Sequence, residues 1–559
     1  MSISKQAQLV YMPNELLLTF SSGGPTPTVN DKRVLLLLER VSRLVGGAGL
    51  VLKDHGKPPV LVPVRGGSAD TSVASGQVAR PGERATPVQP VGGGIDRLPT
   101  GAVSTDGGRL PQPPLTLRLA LANPTSTAKG RDPIRTAIDR INGALASLRV
   151  EEIALSSAMP NWVLSNASSG SGHPQGGPGT LPEAAEAGAW PITVPEAGAW
   201  PPPSLSGVLS AIGPHEQVVV VVLDSLPRLN PENVGRNPLV RAMLGLDPAA
   251  PPILSEWQFT EPPTDLAPGQ SSADMDHGIF VASVINRIAP HAHIRLIQAL
   301  NAQGFGRTDL LLAALDSCLA LAQSGQRVVV NLSLYQLIPP EDEIWFDWFA
   351  PDPPPAAGAA AKALEPLVSA VETRILLLLD AGAVVVAAAG NDAFTYGYAP
   401  QPRIPADYED VLCVAATDRE GGRAGYSNHA DIPLTGNCVA TWGGQGVELN
   451  GQTVVPPGPE PRDGMVGAAV EPTIVTPYGT VPNTTGWVYW SGTSFATPII
   501  SAIAANLLAE NEFQLRQGLT HHRLTPRGVM ARVLAMSGAA PDPAADPGAP
   551  YLKVSQQRY

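Results

Sequence analysis

A short apolar run that ends in a carboxylate, Val218-Val-Val-Val-Val-Leu-Asp224, decides the fold. A run that is apolar at every position is typical of a strand with both faces buried, since a strand with one solvated face alternates. Similar runs follow at 294–299, 328–332, 384–388 and 411–415, with helix candidates near 278–288, 308–323, 362–380 and 495–509. This alternation predicts the α/β class, with a parallel sheet covered by helices on both faces.

Four polar residues stand where these strands end or these helices begin, which is where such sheets carry their functional groups. They are Asp224, His277, Asn391 and Ser494. Taken singly, each has an ordinary explanation as a turn residue, a helix cap or an Asx turn. Ser494, however, lies in Ser491-Gly-Thr-Ser-Phe-Ala-Thr-Pro498, and this string is too specific for a simple N-cap. The four residues together favour a catalytic site.

The four side chains match the needs of peptide hydrolysis by a serine. A serine nucleophile requires a base to remove its proton, an acid to orient that base, and donors for the tetrahedral oxyanion. Ser494, His277 and Asp224 are the candidates for nucleophile, base and orienting acid. The Asn391 side chain and the Ser494 N–H, at the positive end of a helix, are the candidate oxyanion donors. We therefore expect an Asp-His-Ser triad with an oxyanion hole.

In the order Asp, His, Asn, Ser, these segments resemble the subtilase family of serine peptidases and differ from chymotrypsin-like and α/β-hydrolase enzymes. Further segments resemble family landmarks: Ala289-Pro-His-Ala292, Val329-Val-Asn-Leu-Ser-Leu334, Ile404-Pro-Ala406 and Tyr426-Ser-Asn428. The resemblance implies a subtilisin-like sheet of about seven parallel strands. It also implies a serine endopeptidase that cleaves protein or peptide substrates through an acyl-enzyme intermediate. A catalytically inactive peptide-binding scaffold with the same fold is the alternative.

The same resemblance implies that an extended substrate pairs as an added strand beside residues 331–334. The implied substrate-binding residues are Ser333, Leu334, Tyr335, Ala389 and Gly390. Tyr335 departs from the family pattern, which has glycine at this position, and its bulky ring can close a subsite. Other departures, Ser225-Leu-Pro227 after the aspartate and Ile279 with Phe280 after the histidine, remove no group that the mechanism needs.

Composition divides the chain into units, because tracts rich in Pro and Gly interrupt the periodic segments. Residues 1–160 carry two β-α-β patterns, which predict a small α+β, ferredoxin-like domain with a low-complexity, disordered insert at 56–112. A Pro/Gly/Ala-rich linker is expected at 161–206, a catalytic domain at 207–540 and a C-terminal tail at 541–559.

The N-terminal domain resembles the propeptides of the family, with Tyr11-Met-Pro-Asn-Glu-Leu16 similar to an opening seen in them. The resemblance implies a zymogen in which this domain acts in cis as a folding chaperone and an inhibitor of the cleft. Any cleavage between the domains is expected within 157–206. A second interpretation makes the domain a partner-sensing module that stays covalently joined and controls the protease.

Composition also argues against several partners and locations. The net charge is −12 and no Lys- or Arg-rich run occurs, so no nucleic-acid partner is expected. No apolar run reaches the length of about twenty residues that a membrane span needs, so no membrane partner is expected. Residues 1–20 do not read as a signal peptide. A cytoplasmic protein is expected, with secretion by a non-standard route left open.

The expected chemistry requires no cofactor, and no metal ligand is assigned. Calcium is common in the family, yet no compact run of alternating acids supplies recognisable ligands. Cys318, Cys413 and Cys438 lie in apolar surroundings and are expected to be buried reduced thiols, with one disulfide left open.

Overall fold

The fold is that of a computed structural model of the 559-residue chain. It describes residues 11–46, 51–54, 62–64, 112–122, 133–166, 180–181, 183–184, 192–193, 218–226, 254–259, 276–301, 304–338, 359–393, 399–418, 421–429, 437–444, 447–449, 452–454, 464–470, 473–476, 479–483, 486–537, 551–552 and 555–556.

The N-terminal unit places two helices against an antiparallel sheet. Its elements are β1 (Tyr11–Ser22), α1 (Lys32–Gly46), β2 (Val51–Asp54), β3 (Val62–Val64), β4 (Leu115–Ala122), α2 (Pro133–Asn142), β5 (Arg149–Val150) and β6 (Ile153–Asn166). The sheet has the order β6-β1-β4-β2, and each strand runs antiparallel to its neighbour. Each helix buries residues at helical spacing, because only one side of it faces the sheet. The classification of this unit as ferredoxin-like stays a prediction.

Two strands of this unit lie partly or wholly in tracts where composition predicts no regular structure. Strand β6 extends beyond residue 160, the predicted end of the N-terminal domain, to Asn166, inside the tract that composition predicts to be a linker. Strand β3 lies inside the predicted low-complexity insert, most of which falls outside the described residues. Both strands pair with segments far along the chain, so local composition alone does not predict them.

Three short strands lie between the two units in the sequence: β7 (Thr180–Leu181), β8 (Glu183–Ala184) and β9 (Ile192–Thr193). The second unit contains β10 (Val218–Asp224), β11 (Leu254–Phe259), α3 (His277–Ile288), β12 (His293–Gln298), β13 (Phe305–Arg307), α4 (Thr308–Gln323), β14 (Arg327–Leu332), β15 (Leu334–Gln336), α5 (Ala359–Asp380), β16 (Val384–Ala388), β17 (Leu412–Thr417), β18 (Cys438–Trp442), β19 (Val447–Leu449), β20 (Gln452–Val454), β21 (Met465–Ala468), β22 (Thr473–Thr476), β23 (Gly479–Pro482), β24 (Trp487–Trp490), α6 (Thr493–Arg516), α7 (Pro526–Ala535), β25 (Tyr551–Leu552) and β26 (Ser555–Gln556).

Parallel strands form the centre of the large sheet, in the order β18-β17-β16-β14-β10-β12-β11. Strand β25 continues the sheet in parallel at the β18 edge, and β3 of the N-terminal unit adds antiparallel to β11. The predicted α/β fold, with a parallel sheet of about seven strands, is confirmed.

Strand β10 sends alternate side chains into two separate cores. Its odd-numbered residues from 219 to 223 pack in one cluster with residues of α4 and α5, and its even-numbered residues pack in a second cluster with α3 and α6. Helices therefore cover both faces of the sheet, which is why every residue of β10 is buried. Strand β10 lies between β12 and β14, so the chain connections run to opposite sides of it. In such sheets, binding crevices lie at the carboxyl ends of the strands at this point.

The three cysteines are buried and free. Cys413 and Cys438 lie opposite each other in β17 and β18. Burial raises the pKa of Cys318 to about 12 and holds the pKa of Cys413 well above its ordinary value, so both thiols stay protonated at neutral pH.

A membrane span is not found in the part of the chain that the structure describes, where no helix has the length and apolar character to cross a bilayer.

Candidate active site

The Asp224 carboxylate and the His277 imidazole form a buried pair at the carboxyl end of β10. His277 Nδ1 lies 2.7 Å from Asp224 Oδ1, and neither side chain has exposed surface. The Ser225 N–H donates to the same carboxylate oxygen at 2.6 Å and fixes it. Because Nδ1–H donates to the carboxylate, Nε2 carries the lone pair of the neutral imidazole. Among the described residues Nε2 has no hydrogen-bond partner, so it is available as a base.

A glycine lets helix α3 approach the end of β10. A Cβ on Gly278 would collide with the Ser225 carbonyl oxygen, so only glycine fits after His277. The His277 ring packs edge-on against Trp490 and tilted against Phe495, with ring centroids 5.6 and 5.2 Å away. Since Phe495 directly follows Ser494, these contacts bring the imidazole beside the start of α6.

Ser494 lies in the first turn of α6, and a proline four residues later frees its carbonyl. Pro498 has no N–H and cannot make the usual helical hydrogen bond to the Ser494 carbonyl. The Ser333 hydroxyl donates to that carbonyl instead, at 2.8 Å. The Ser494 hydroxyl in turn donates to the Ser333 carbonyl at 3.1 Å. These two bonds tie Ser494 to the residue just before β15.

Ser333 is itself held by buried polar groups beneath it. Asn331 Nδ2 donates to Ser333 Oγ at 2.9 Å, and Ser501 Oγ donates to Asn331 Oδ1 at 2.9 Å. These side chains are fully buried, where a hydrogen bond is electrostatically stronger than in water. Side-chain hydrogen bonds as well as packing therefore fix α6 against β14.

The Asn391 side chain is oriented by Thr493, the residue before Ser494. Asn391 Oδ1 accepts from the Thr493 N–H at 3.0 Å and from the Thr493 hydroxyl at 2.9 Å. The amide therefore presents Nδ2 on its other side, where this buried donor has no partner among the described residues. A buried N–H without a partner is costly, so such a group marks a place that a ligand oxygen can complete.

Gly390 supplies the turn that presents this amide. Its φ of 111° is unfavourable for residues with a side chain, and a Cβ there would lie 2.6 Å from Asn428 Nδ2. The Gly390 carbonyl accepts from the Asn428 N–H at 2.9 Å, and the Ala389 carbonyl accepts from the Arg403 N–H at 2.9 Å. The predicted binding residues Ala389 and Gly390 are thus anchored immediately before Asn391.

Strand β6 of the N-terminal unit lies in a groove between β13 and β15. It pairs antiparallel with both, so that Ser165 lies opposite Tyr335 on one side and Phe305 on the other. Asn166 lies opposite Leu334, which directly follows Ser333. The chain's own strand therefore occupies the place in which an extended peptide is expected.

The paired segment differs slightly from the expected one. Residues 334–336 pair with β6, whereas residues 331–332 belong to β14 and pair inside the large sheet with β10 and β16. Of the predicted binding residues, Leu334 and Tyr335 are therefore on the pairing strand, and Ser333 connects it to Ser494. A continuous apolar run does not reveal where one strand ends and the next begins.

Polar contacts around Asp309 fix the N-terminal unit beside the groove. The Asp309 carboxylate, at the start of α4, accepts from Arg118 of β4 at 3.2 Å and from Asn161 of β6 at 2.9 Å. Arg307 of its own unit adds a donor at 3.0 Å. Asn161 Oδ1 accepts from the Asp309 N–H at 3.1 Å, so a side chain of one unit satisfies the helix terminus of the other.

The structure brings the predicted Asp224, His277, Asn391 and Ser494 together at one edge of the sheet and buries all four. Sequence reasoning did not single out Thr493 or Ser501, although both lie in or beside the string around Ser494. It also missed Asp309, whose partners in the N-terminal unit are far away in sequence. Across the described ranges, no group of three or more His, Cys, Asp or Glu residues is placed to hold a metal ion.

Comparison with protein families decides the assignment. The sequence model of the subtilase family matches residues 254–541, just over half of the chain. The chain belongs to the subtilase family. It is accordingly a serine peptidase, a hydrolase that acts on peptide or protein substrates. The matched residues of this subtilase include His277, Asn391 and Ser494, whereas Asp224 precedes them and is placed by its 2.7 Å contact with His277.

Several solved structures resemble this subtilase. A prenylagaramide maturation protease is 21% identical, with a TM-score of 0.37, and the match covers 61% of this chain and 91% of that one. A lanthipeptide protease is 18% identical, with a TM-score of 0.36 and coverage of 60% and 85%. Fervidolysin, a keratinolytic enzyme from Fervidobacterium pennivorans, is 13% identical, with a TM-score of 0.44 and coverage of 98% and 60%. The comparison with curated proteins found no match.

Proposed function

We propose that this subtilase is a serine endopeptidase that uses an Asp224-His277-Ser494 triad and is held inactive by its own strand β6. One observation carries the proposal. The His277 imidazole is fixed by the buried Asp224 carboxylate through Nδ1 and keeps Nε2 unpartnered among the described residues, beside the first turn of α6, which carries Ser494. This is the arrangement that a general base for a serine nucleophile requires.

In the proposed reaction, the Ser494 hydroxyl turns from the Ser333 carbonyl to His277 Nε2 and attacks the scissile carbonyl carbon. His277 takes the hydroxyl proton, and Asp224 stabilises the resulting imidazolium. The oxyanion accepts hydrogen bonds from Asn391 Nδ2 and from the Ser494 N–H. Ser494 lies in the first turn of a helix, where N–H groups have no intrahelical acceptor. His277 then protonates the departing amine. Water repeats the sequence on the acyl-enzyme and releases the second product.

The test is covalent labelling with a fluorophosphonate, in which the serine oxygen attacks phosphorus and fluoride leaves. We expect one label per chain, on Ser494, when β6 has left the groove, and no label on the Ser494→Ala variant under the same conditions. Ser537→Ala, which removes a serine hydroxyl at the end of α7, is the matched control and keeps the label. If the folded protein takes no label even when the groove has been opened, the catalytic proposal fails. The chain would then be the catalytically inactive peptide-binding scaffold.

Inhibition by the N-terminal unit is supported by the pairing of β6. Its residues 163–166 fill the ladder between β13 and β15, so a substrate cannot add there as a strand. The side chains of Asp224, His277 and Ser494 have no exposed surface. The ion pair from Arg118 to Asp309 and the reciprocal bonds between Asn161 and Asp309 add to this pairing.

Replacing Ser165 by proline is expected to activate the intact chain. Proline lacks the N–H that a residue paired on both sides contributes to a ladder, so β6 should leave the groove more often. One lost hydrogen bond, about 1 kcal/mol, corresponds to a rise of roughly fivefold in the hydrolysis of a fluorogenic peptide. Ser165→Ala is the control, because it keeps the N–H and removes only the side-chain hydroxyl, so a smaller rise is expected for it than for Ser165→Pro.

An unchanged rate in a folded Ser165→Pro chain would remove the inhibitory role of β6. N-terminal sequencing of the active protein separates the two forms of control. A new N-terminus after β6 supports a zymogen activated by cleavage, whereas an intact Met1 with activity that rises on adding a partner supports the sensing module.

A further inference from the structure

An ion pair lies directly behind the oxyanion segment. Arg403 Nε and Nη2 donate to the two oxygens of Asp392 at 2.9 and 3.1 Å, a bidentate arrangement. Asp392 follows Asn391 in the chain and is completely buried, and the Arg403 side chain is 12% exposed. Asn428 Nδ2 also donates to Asp392, at 2.8 Å. The carboxylate and the guanidinium therefore neutralise each other in a fixed geometry.

The Arg403 side chain spans two walls beside the groove, one formed by Gly390 and the other by Tyr335 and Ile338. On one wall its Cγ lies against Gly390, 3.1 Å from the position that a Cβ would occupy there. On the other wall Nη1 donates to the Ile338 carbonyl at 3.0 Å, and the guanidinium carbon lies 5.8 Å from the centroid of the Tyr335 ring. The backbone follows the same path, since the Gln336 N–H donates to the Ile404 carbonyl at 2.8 Å. A substrate side chain placed in the space between these walls would therefore meet the guanidinium.

The register of β6 indicates which substrate residue meets this space. Asn166 pairs with Leu334, so the next residue of a peptide in the same register stands opposite Ser333. The Ser333 carbonyl accepts from the Ser494 hydroxyl, so that residue carries the carbonyl nearest the nucleophile. Its side chain therefore lies on the amino side of the scissile bond, beside Gly390. In the sequence of this chain, the residue that follows Asn166 is Ala167.

We propose that Arg403, paired with Asp392 and flanked by Tyr335, restricts this substrate position to small uncharged side chains. The inference rests on the proposed endopeptidase function and names its substrate class. A large apolar side chain has to displace a buried bidentate ion pair, and a basic one meets a like charge. An acidic side chain has to compete with Asp392 for the same donors. Glycine, alanine and serine are short enough to avoid the pair.

The test uses peptides that differ only at this position, with Ala, Phe, Lys or Glu. Hydrolysis is measured with the Ser165→Pro chain, whose groove is opened. Binding is measured by fluorescence anisotropy with the Ser165→Pro/Ser494→Ala chain, using product-like peptides that end at this residue. We expect the Ala peptide to be cleaved at least tenfold faster than the other three and to bind most tightly.

Two substitutions should change the preference in opposite directions. Arg403→Ala leaves the Asp392 carboxylate at the end of the space, so the Lys peptide should gain at least tenfold relative to the Ala peptide. Asp392→Asn removes the carboxylate with which the guanidinium pairs, so the Glu peptide should gain instead. Arg527→Ala is the matched control, because Arg527 forms a bidentate pair with Asp410 on the exposed surface, and its profile should stay unchanged.

Equal cleavage and binding of the Ala, Phe and Lys peptides overturns the inference, as does an unchanged order in either folded variant. Asp392→Asn decides the matter alone if Arg403→Ala does not fold. The failure of the proposed function looks different, since no peptide is cleaved and no fluorophosphonate is attached. In that case the order of the affinities of the Ala, Phe, Lys and Glu peptides alone tests the role of Arg403.

Discussion

Replacing His277 by alanine is expected to lower peptide hydrolysis about a millionfold, because the base that activates Ser494 is lost. Asp224→Ala should cost less, on the order of 10⁴-fold, since the imidazole remains but loses the carboxylate that fixes its tautomer. The measurement is the rate at which a fluorogenic peptide is hydrolysed by each variant in the Ser165→Pro background, divided by the concentration of folded protein. This pair of values separates the base from the group that orients it.

The double variant sharpens this prediction. If Asp224 acts only through His277, Asp224→Ala/His277→Ala should be no slower than His277→Ala. Losses that multiply would show that Asp224 acts on the reaction independently, which contradicts the triad. The Arg527→Ala chain again serves as a control that removes a charge pair on the exposed surface.

Replacing Asn391 by leucine is expected to lower kcat by roughly 100- to 1,000-fold with little change in KM, since the amide acts on the oxyanion and not on the ground-state carbonyl. Leucine has a similar size and keeps the site filled, while it removes Nδ2, the buried donor without a partner in the described ranges. Steady-state kinetics on the best small-residue peptide give both constants.

Thr493→Val provides a graded comparison for Asn391. It removes one of the two donors that orient the amide and retains the Thr493 N–H at 3.0 Å, so we expect a smaller loss in kcat than for Asn391→Leu. A large rise in KM with unchanged kcat for Asn391→Leu would instead place the amide in substrate binding.

The parallel sheet and the four site residues could be predicted from the sequence for a local reason. Strand β16 and strand β10 up to Leu223 are apolar at every position because both faces are covered, and a polar residue at or just beyond the end of such a strand can enter only the crevice. The string around Ser494 is recognisable from one short segment. It includes Pro498, which leaves the Ser494 carbonyl free to accept a hydrogen bond from Ser333.

The path of β6 and the contacts of Arg403 could not be predicted from the sequence, because both depend on residues distant in the chain. Pro160 and the polar residues near it interrupt the apolar pattern of β6, and its partners Phe305 and Tyr335 lie far along the chain. Arg403 and Asp392 are separated by a segment without periodicity, so nothing local indicates that their side chains meet. The sequence alone shows that Tyr335 departs from the family pattern, but it does not show the guanidinium beside the ring.

The position of β6 in the chain has a consequence for biosynthesis. A ribosome adds about 5 to 20 residues each second, so β6 is complete tens of seconds before Ser494 is made. When β13 and β15 emerge, the strand that pairs with both is already present in the same molecule. The proposed nucleophile is thus the later product of translation, and a nascent chain carries the strand that pairs with the groove before it carries all residues of the candidate site.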